Sequence, residues 1–175
     1  MVVLPTYNEA DNIVEFVHAV RSAAPSADIL VVDDNSPDGT GLLAEQLAAA
    51  DPSVSVLHRT AKAGLGAAYR HGFSVAFERG YDIIVSMDSD FSHDPNVIPV
   101  MVARIEQGAD VVVGSRYGHG GGTSDGPLRR QILSKWGNRY TGFVIGMKVR
   151  DCTSGFRAYR ASMLERVRPG ETKAE

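Results

Sequence analysis

Two carboxylates one residue apart, Asp88 and Asp90, close the segment Asp82-Ile-Ile-Val-Ser-Met-Asp88-Ser89-Asp90-Phe-Ser92-His93-Asp94-Pro95. An apolar run of strand character thus ends in hard oxygen donors. The mouth of an α/β sheet is where such proteins bind substrates. Carboxylates this close repel each other unless something positive lies between them, and a divalent cation bridging a diphosphate is the natural candidate. The alternative is a pair of solvated turn aspartates ahead of a helix that starts at Asp94-Pro95.

Two more polar clusters follow strand-like runs: Pro5-Thr6-Tyr7-Asn8-Glu9 and Asp33-Asp34-Asn35-Ser36. In a parallel sheet the carboxyl ends of the strands share one edge, so all three clusters can line one crevice. Each by itself could be only a cap or a turn. Basic residues are placed suggestively further on. Arg116 follows an apolar run, Arg129-Arg130 open a helical segment, and Ser134 lies one turn beyond Arg130. Arginines at a helix amino terminus suit a phosphate, with a solvated basic face as the alternative.

The elements that must position these residues alternate along the chain. Strands are predicted at Met1–Leu4, Asp28–Asp33, Val54–Leu57, Asp82–Met87 and Ala109–Val113. Between them, apolar residues recur with helical period. They predict helices over Ala10–Ala23, from Asp38 or Thr40 through Leu42, Leu43 and Leu47, over Leu65–Arg79, and over Asn96–Gln107. Gly80 and Gly108 are placed to stop two of them. Continuous Val/Ile-rich strands separated by amphipathic helices predict an α/β domain: a doubly wound, mainly parallel sheet with helices on both faces. After Gly114 the glycine-rich run Gly118–Gly122 predicts a mobile loop, Leu128–Val144 a basic helix, and Val149–Tyr159 an extended segment.

Composition narrows the function. The 175 residues suit one domain, and a net charge of −3 argues against a nucleic-acid binder. The single Cys152 cannot form an internal disulfide and, with no Cys/His cluster of zinc spacing, fits a reducing, cytoplasmic setting. His18, His58, His71, His93 and His119 have no mutual metal spacing and read as surface or packing residues. No basic-then-apolar leader opens the chain and no apolar run reaches ~18 residues, so neither a signal peptide nor a membrane span is expected. Attachment to a membrane surface stays open.

Two motif matches are set aside. Asp34-x-Ser36-x-Asp38-Gly39-x5-Glu45 nearly matches a calcium-binding loop, but a strand precedes it and Pro37 interrupts it. Gly64-Leu-Gly66 has Tyr69 where a dinucleotide fingerprint needs its third glycine. Trp136 and Tyr140 share a predicted helix face and read as packing.

Taken together, six motifs resemble the inverting family 2 glycosyltransferases, and among them the dolichyl- or polyprenyl-phosphate mannose synthases. They are Pro5-Thr-Tyr-Asn-Glu9, Val31-Val-Asp-Asp34-Asn-Ser-Pro-Asp-Gly-Thr40, Lys62-Ala-Gly-Leu-Gly-Ala-Ala68, Asp88-Ser-Asp90-Phe-Ser-His93, Gly114-Ser-Arg116-Tyr and Asp151-Cys-Thr-Ser-Gly-Phe-Arg157-Ala-Tyr. The resemblance implies a Rossmann-like fold of GT-A type. It also implies a nucleotide-sugar-binding half over residues 1–114 and an acceptor-side half over residues 115–165.

Residue by residue, it implies that Pro5, Tyr7, Glu9, Val32 and Asp34 hold the guanosine of GDP-mannose, with Asp88, Ser89 and Asp90 facing ribose and diphosphate. Asp90, Asp88 and the Ser92 hydroxyl would bind Mg²⁺ or Mn²⁺. Arg116, Arg130 and Ser134 would meet the phosphates, including that of a polyprenyl or dolichyl acceptor at the cytoplasmic face of a membrane, where a membrane-bound partner protein has room to act. An acceptor phosphate is already anionic, so the reaction asks for no general base. Such enzymes continue with a Gly-Tyr-x-Phe-Gln-type segment and an Arg/Lys loop that this chain lacks, so a carboxyl-terminal truncation is expected. Two other readings fit the same acidic strand ends. One is a UDP-sugar transferase acting on a polyprenyl phosphate or a polysaccharide; a polysaccharide acceptor would call for a carboxylate base, for which no clear candidate stands out, with Asp151 left open. The other is an inactive nucleotide-binding module.

Overall fold

A computed structural model describes residues 1–114 and 154–167. Their strands are β1 (Val2–Thr6), β2 (Ile29–Asp33), β3 (Val54–His58), β4 (Ile83–Ser86), β5 (Val111–Val113) and β6 (Arg157–Arg160). The helices are α1 (Ile13–Ala23), α2 (Thr40–Ala50), α3 (Leu65–Glu78), α4 (Ile98–Glu106) and α5 (Ala161–Val167), with a 3-10 turn at Pro95–Val97 leading into α4. The expected helix over Leu128–Val144, the glycine loop and the start of the extended segment at Val149 lie outside the described residues.

The six strands form one sheet in the order β3-β2-β1-β4-β6-β5. β1, β2, β3 and β4 run parallel, with Thr6 opposite Asp33 and Asp33 opposite His58. β6 inserts between β4 and β5 and is antiparallel to both. The extended segment expected near Tyr159 is therefore a central strand. The sheet is mainly parallel, as the apolar runs predict, with one reversed member.

Alternate strand residues enter two separate cores. Val2, Leu4, Ile29, Val31 and Val85 face Phe16, Val17 and Val20 of α1 and Met101 and Ile105 of α4. Val3, Leu30, Val32 and Ile84 face Ala68, Phe73 and Ala76 of α3 and Leu164 of α5. Burial on both faces explains why the strands are continuous apolar runs without polar alternation. Helices begin later than expected at two places. α1 starts at Ile13 because Glu9–Asn12 form a turn, with Asn12 and Ile13 amides donating to the Glu9 carbonyl. At the other, Asp94 caps the 3-10 turn by accepting from the Asn96 amide. In α2, Leu43 and Leu47 pack against the core as expected, beside the buried Thr40, Gly41 and Ala44, whereas Leu42 is 66% exposed.

Gly80 and Gly108 do end their helices, with φ of 74° and 110°. In each, the amide of the residue after the glycine reaches back: Tyr81 to the Ala76 carbonyl and Ala109 to the Arg104 carbonyl. α3 lies unusually close to the sheet. A Cβ on Gly72 would meet Val3 Cγ1 at 2.4 Å, so only glycine lets the helix settle there.

Candidate active site

The loops after β1, β2 and β4 meet at the carboxyl edge of the sheet. Two are stitched together by backbone amides. Asn8 donates to Ser36 Oγ (3.1 Å), Glu9 to Thr40 Oγ1 (2.9 Å) and Ala10 to Asp38 Oδ2 (3.0 Å). Each of the three edge loops holds one non-glycine residue with positive φ: Asn8 (59°), Asn35 (58°) and Phe91 (56°). Asparagine tolerates that conformation. Phe91 does not do so readily, and its ring is pinned edge-on against Phe16, with centroids 4.9 Å apart.

Between these loops lies a cleft of about 270 Å³ lined by Pro5, Thr6, Tyr7, Glu9, Asp34, Lys62, Leu65, Ala68, Asp88, Ser89 and Asp90. Seven of the residues singled out in the sequence thus border one space: Pro5, Tyr7, Glu9, Asp34, Asp88, Ser89 and Asp90. Val32 is not among the described residues lining it. Its side chain is fully buried beneath α3. Ser92 lies beside the cleft, and its amide donates to Asp90 Oδ1 at 2.9 Å. Arg116, Arg130, Ser134 and Asp151 lie outside the described residues.

The two neighbouring acids of β2 differ. Asp33 is a scaffold residue: its Oδ1 accepts from Ser36 Oγ (2.5 Å) and Thr6 Oγ1 (3.2 Å), and its Oδ2 from the Ser36 amide (3.1 Å). Asp34 lines the cleft and forms an ion pair with Arg59, both side chains being nearly buried. The carboxylates that suggested a calcium loop are engaged elsewhere. Asp38 accepts from Thr40 N and Oγ1, and Glu45 pairs with His58 at 2.9 Å. The Thr40 hydroxyl holds the Asp38 carboxyl below its ordinary value.

At β4 the pair again divides. Asp90 is exposed, whereas Asp88 is partly buried and accepts from the Tyr69 hydroxyl at 2.7 Å. Burial, reinforced by the Asp88 charge and this bond, pushes the Tyr69 phenol far above its ordinary value, so it stays protonated and donates. Ser89 Oγ is buried with no hydrogen-bond partner among the described residues. A buried hydroxyl left unmatched at a cleft wall is a place for a ligand's polar group. Lys62 Nζ lies over the Tyr7 ring, 3.5 Å from its centroid.

Could the cleft hold a divalent cation? No group of three or more His, Cys, Asp or Glu side chains converges among the described residues. Four carboxylates border the cleft, and two of them, Asp88 and Asp90, are in no salt bridge among the described residues. Hard oxygen donors of this number suit Mg²⁺ or Mn²⁺, which complete their shell with waters and substrate phosphates. The residues fit.

Reasoning from sequence missed Arg59, Tyr69 and Lys62 as working members of this edge. Arg59 follows β3 directly, and its place at the same strand edge was a usable signal. Tyr69 sits among apolar helix residues and carries no such signal. His93 is a packing residue, its ring 5.2 Å from that of Phe156.

The mainly parallel sheet with one reversed strand and an acidic strand-end cleft has the GT-A fold. A mannosyltransferase from Pyrobaculum calidifontis, solved with GDP-Man and Mn²⁺, shares that fold with a TM-score of 0.62 at 18% identity, over 95% of this chain and 45% of that one. The chain belongs to glycosyl transferase family 2, whose model matches residues 1–168. It is 49% identical over 168 residues to the polyprenol monophosphomannose synthase of Mycolicibacterium smegmatis, covering 95% of this chain and 63% of the relative. It is 46% identical over 167 residues to the undecaprenyl-phosphate mannosyltransferase of Micrococcus luteus, covering 95% and 68%. The chain therefore spans about two thirds of the length of these curated relatives.

No helix among the described residues is long and apolar enough to cross a membrane.

Proposed function

We propose that this chain is the catalytic domain of an inverting mannosyltransferase that moves mannose from GDP-mannose to a polyprenyl monophosphate. The observation that carries the reading is the shared cleft of Asp88, Asp90, Asp34 and Glu9, which Lys62 also lines. The relatives, named as polyprenyl-phosphate mannosyltransferases, supply the choice of sugar and acceptor.

In this reading Asp34, Glu9 and Tyr7 hold the nucleoside, and the Ser89 hydroxyl meets a donor oxygen. Asp88 and Asp90, with the Ser92 hydroxyl, would hold Mg²⁺ or Mn²⁺, which would supply charge neutralisation for a diphosphate leaving group. Lys62, which lines the same cleft, adds a second positive charge there. Arg116, Arg130 and Ser134 hold the acceptor phosphate. One of its oxygens forms the new bond to the sugar C1 on the face opposite GDP, and the C1–O electron pair leaves with GDP. The nucleophile is an anion from the start, so the protein's part is positioning and charge stabilisation, and no general base is required. A lipid acceptor puts the reaction at a membrane surface.

The test is calorimetric titration with GDP, UDP and ADP, with and without Mn²⁺, for the chain and for Asp90→Ala. Metal-dependent preference for GDP, abolished in the variant, is expected. Preference for UDP would move the reading to a UDP-sugar transferase. Metal-dependent binding that survives in Asp90→Ala would remove the metal role given to the pair.

A further inference from the structure

Asp88 and Asp90 are separated by one residue but are held differently. Asp90 is exposed and accepts the Ser92 amide. Asp88 is gripped from two sides. From α3, the Tyr69 hydroxyl donates to Oδ1 at 2.7 Å. From the segment entering β6, Gly155 approaches so closely that a Cβ there would stand 2.7 Å from Oδ2 and 3.2 Å from Cγ. Tyr69 is itself braced. Its ring packs on Phe73 at 5.9 Å, and Phe73 meets Tyr159 of β6 edge-on at 5.6 Å. Two elements remote in sequence, α3 and the segment entering β6, thus converge on one carboxylate.

We propose that Tyr69 is a positioning residue for Asp88, fixing that carboxylate by its hydroxyl so that the oxygens left over are presented to a divalent cation in the cleft. This rests on the metal reading above and adds a residue to it that touches neither metal nor nucleotide. The physical case has two parts. A hydroxyl-to-carboxylate bond is charge-assisted, so it selects one side-chain rotamer before the cation arrives, and less ordering remains to be done on binding. It also draws charge from the oxygen it engages, which eases repulsion between Asp88 and Asp90 while the cleft holds no cation. Outer partners of metal-binding carboxylates act in this way.

Tyr69→Phe keeps the ring packing and deletes only the hydroxyl. Mn²⁺ affinity is measured with GDP present, from the free-ion paramagnetic resonance signal, beside GDP affinity without metal and the melting temperature. The variant is expected to bind Mn²⁺ about 10–100-fold more weakly, with metal-free GDP affinity within about twofold of the parent. A general packing defect would lower both together. Gly155→Ala, which crowds the other side of the same carboxylate, is expected to weaken Mn²⁺ with Tyr69 intact, and it decides the matter if Tyr69→Phe fails to fold. Mn²⁺ affinity within about twofold of the parent in the variant that folds overturns the proposal, as does an equal loss of metal-free GDP binding. A parent chain that binds GDP without any Mn²⁺ dependence overturns the metal reading and this inference with it, whereas a metal-dependent parent matched by Tyr69→Phe overturns this inference alone.

Discussion

Replacing Gly72 by alanine tests whether the close seating of α3 on the sheet is real and whether it matters to the site. The new Cβ would lie 2.4 Å from Val3 Cγ1 and 3.1 Å from Val32 Cγ2, two valines with no exposed surface. Carbon atoms rest at about 3.5–4.0 Å, so the helix or the strand must yield by roughly 1 Å. Overpacking of that kind costs about 1–3 kcal/mol, and exchanging glycine for alanine within a helix returns about 1 kcal/mol. A net loss of up to about 2 kcal/mol lowers the melting temperature by up to about 8 °C in a chain of this size. Tyr69 stands one helical turn before Gly72 and moves with it, so the 2.7 Å bond to Asp88 should lengthen and Mn²⁺ binding should weaken too. Gly66→Ala, in the same helix, is the control. Its Cβ would find only the end of the Arg70 side chain, at 3.6 Å, so its melting temperature should rise by about 1–4 °C. Calorimetric melting of the two variants against the parent decides. Gly72→Ala melting at or above the parent, or both variants shifting in the same direction, would refute the packing argument.

Two further outcomes are expected. Arg59→Ala leaves the nearly buried Asp34 carboxylate without its cation and should cost about 3 kcal/mol in urea unfolding, with Arg59→Ala/Asp34→Asn recovering much of it; a loss under about 1 kcal/mol would mean the pair is screened by solvent. The ammonium of Met1 is buried against the Ile83 carbonyl, and desolvation lowers its pKa from 8.0 to about 6. Between those values the unfolded chain binds the proton and the folded chain does not. This group's contribution to stability is therefore fully present above pH 8 and is lost, by up to about 3 kcal/mol, as the pH drops to 6. Acetylating the amino terminus should flatten that slope, and an unchanged slope would assign it to other groups.

Strand and helix order in residues 1–114 was legible because burial on both faces of a parallel sheet writes continuous apolar runs, and helices write a different period. The edge on which the acids gather followed from the same rule, since parallel strands share their carboxyl ends. Gly80 and Gly108 announced helix ends because a left-handed residue there is a local requirement. Local rules stop at that point. Nothing near Arg157–Arg160 says that this strand runs backwards between β4 and β5, because the choice is made by hydrogen bonds to strands far away in sequence. The two acid pairs, Asp33-Asp34 and Asp88/Asp90, look alike as letters. One member of the first became scaffold because Thr6 and Ser36 reach it, and the other met Arg59 from a third strand. Tyr69 reads as one more helix aromatic until α3 lies on the sheet and brings its hydroxyl to Asp88, and Gly155 reads as a loop glycine until β6 slots in beside β4. By itself the sequence determined the elements, the acidic edge and the family. Which acids are held, by what, and which are left for a ligand was decided only by tertiary packing, because those contacts join side chains that share no local pattern.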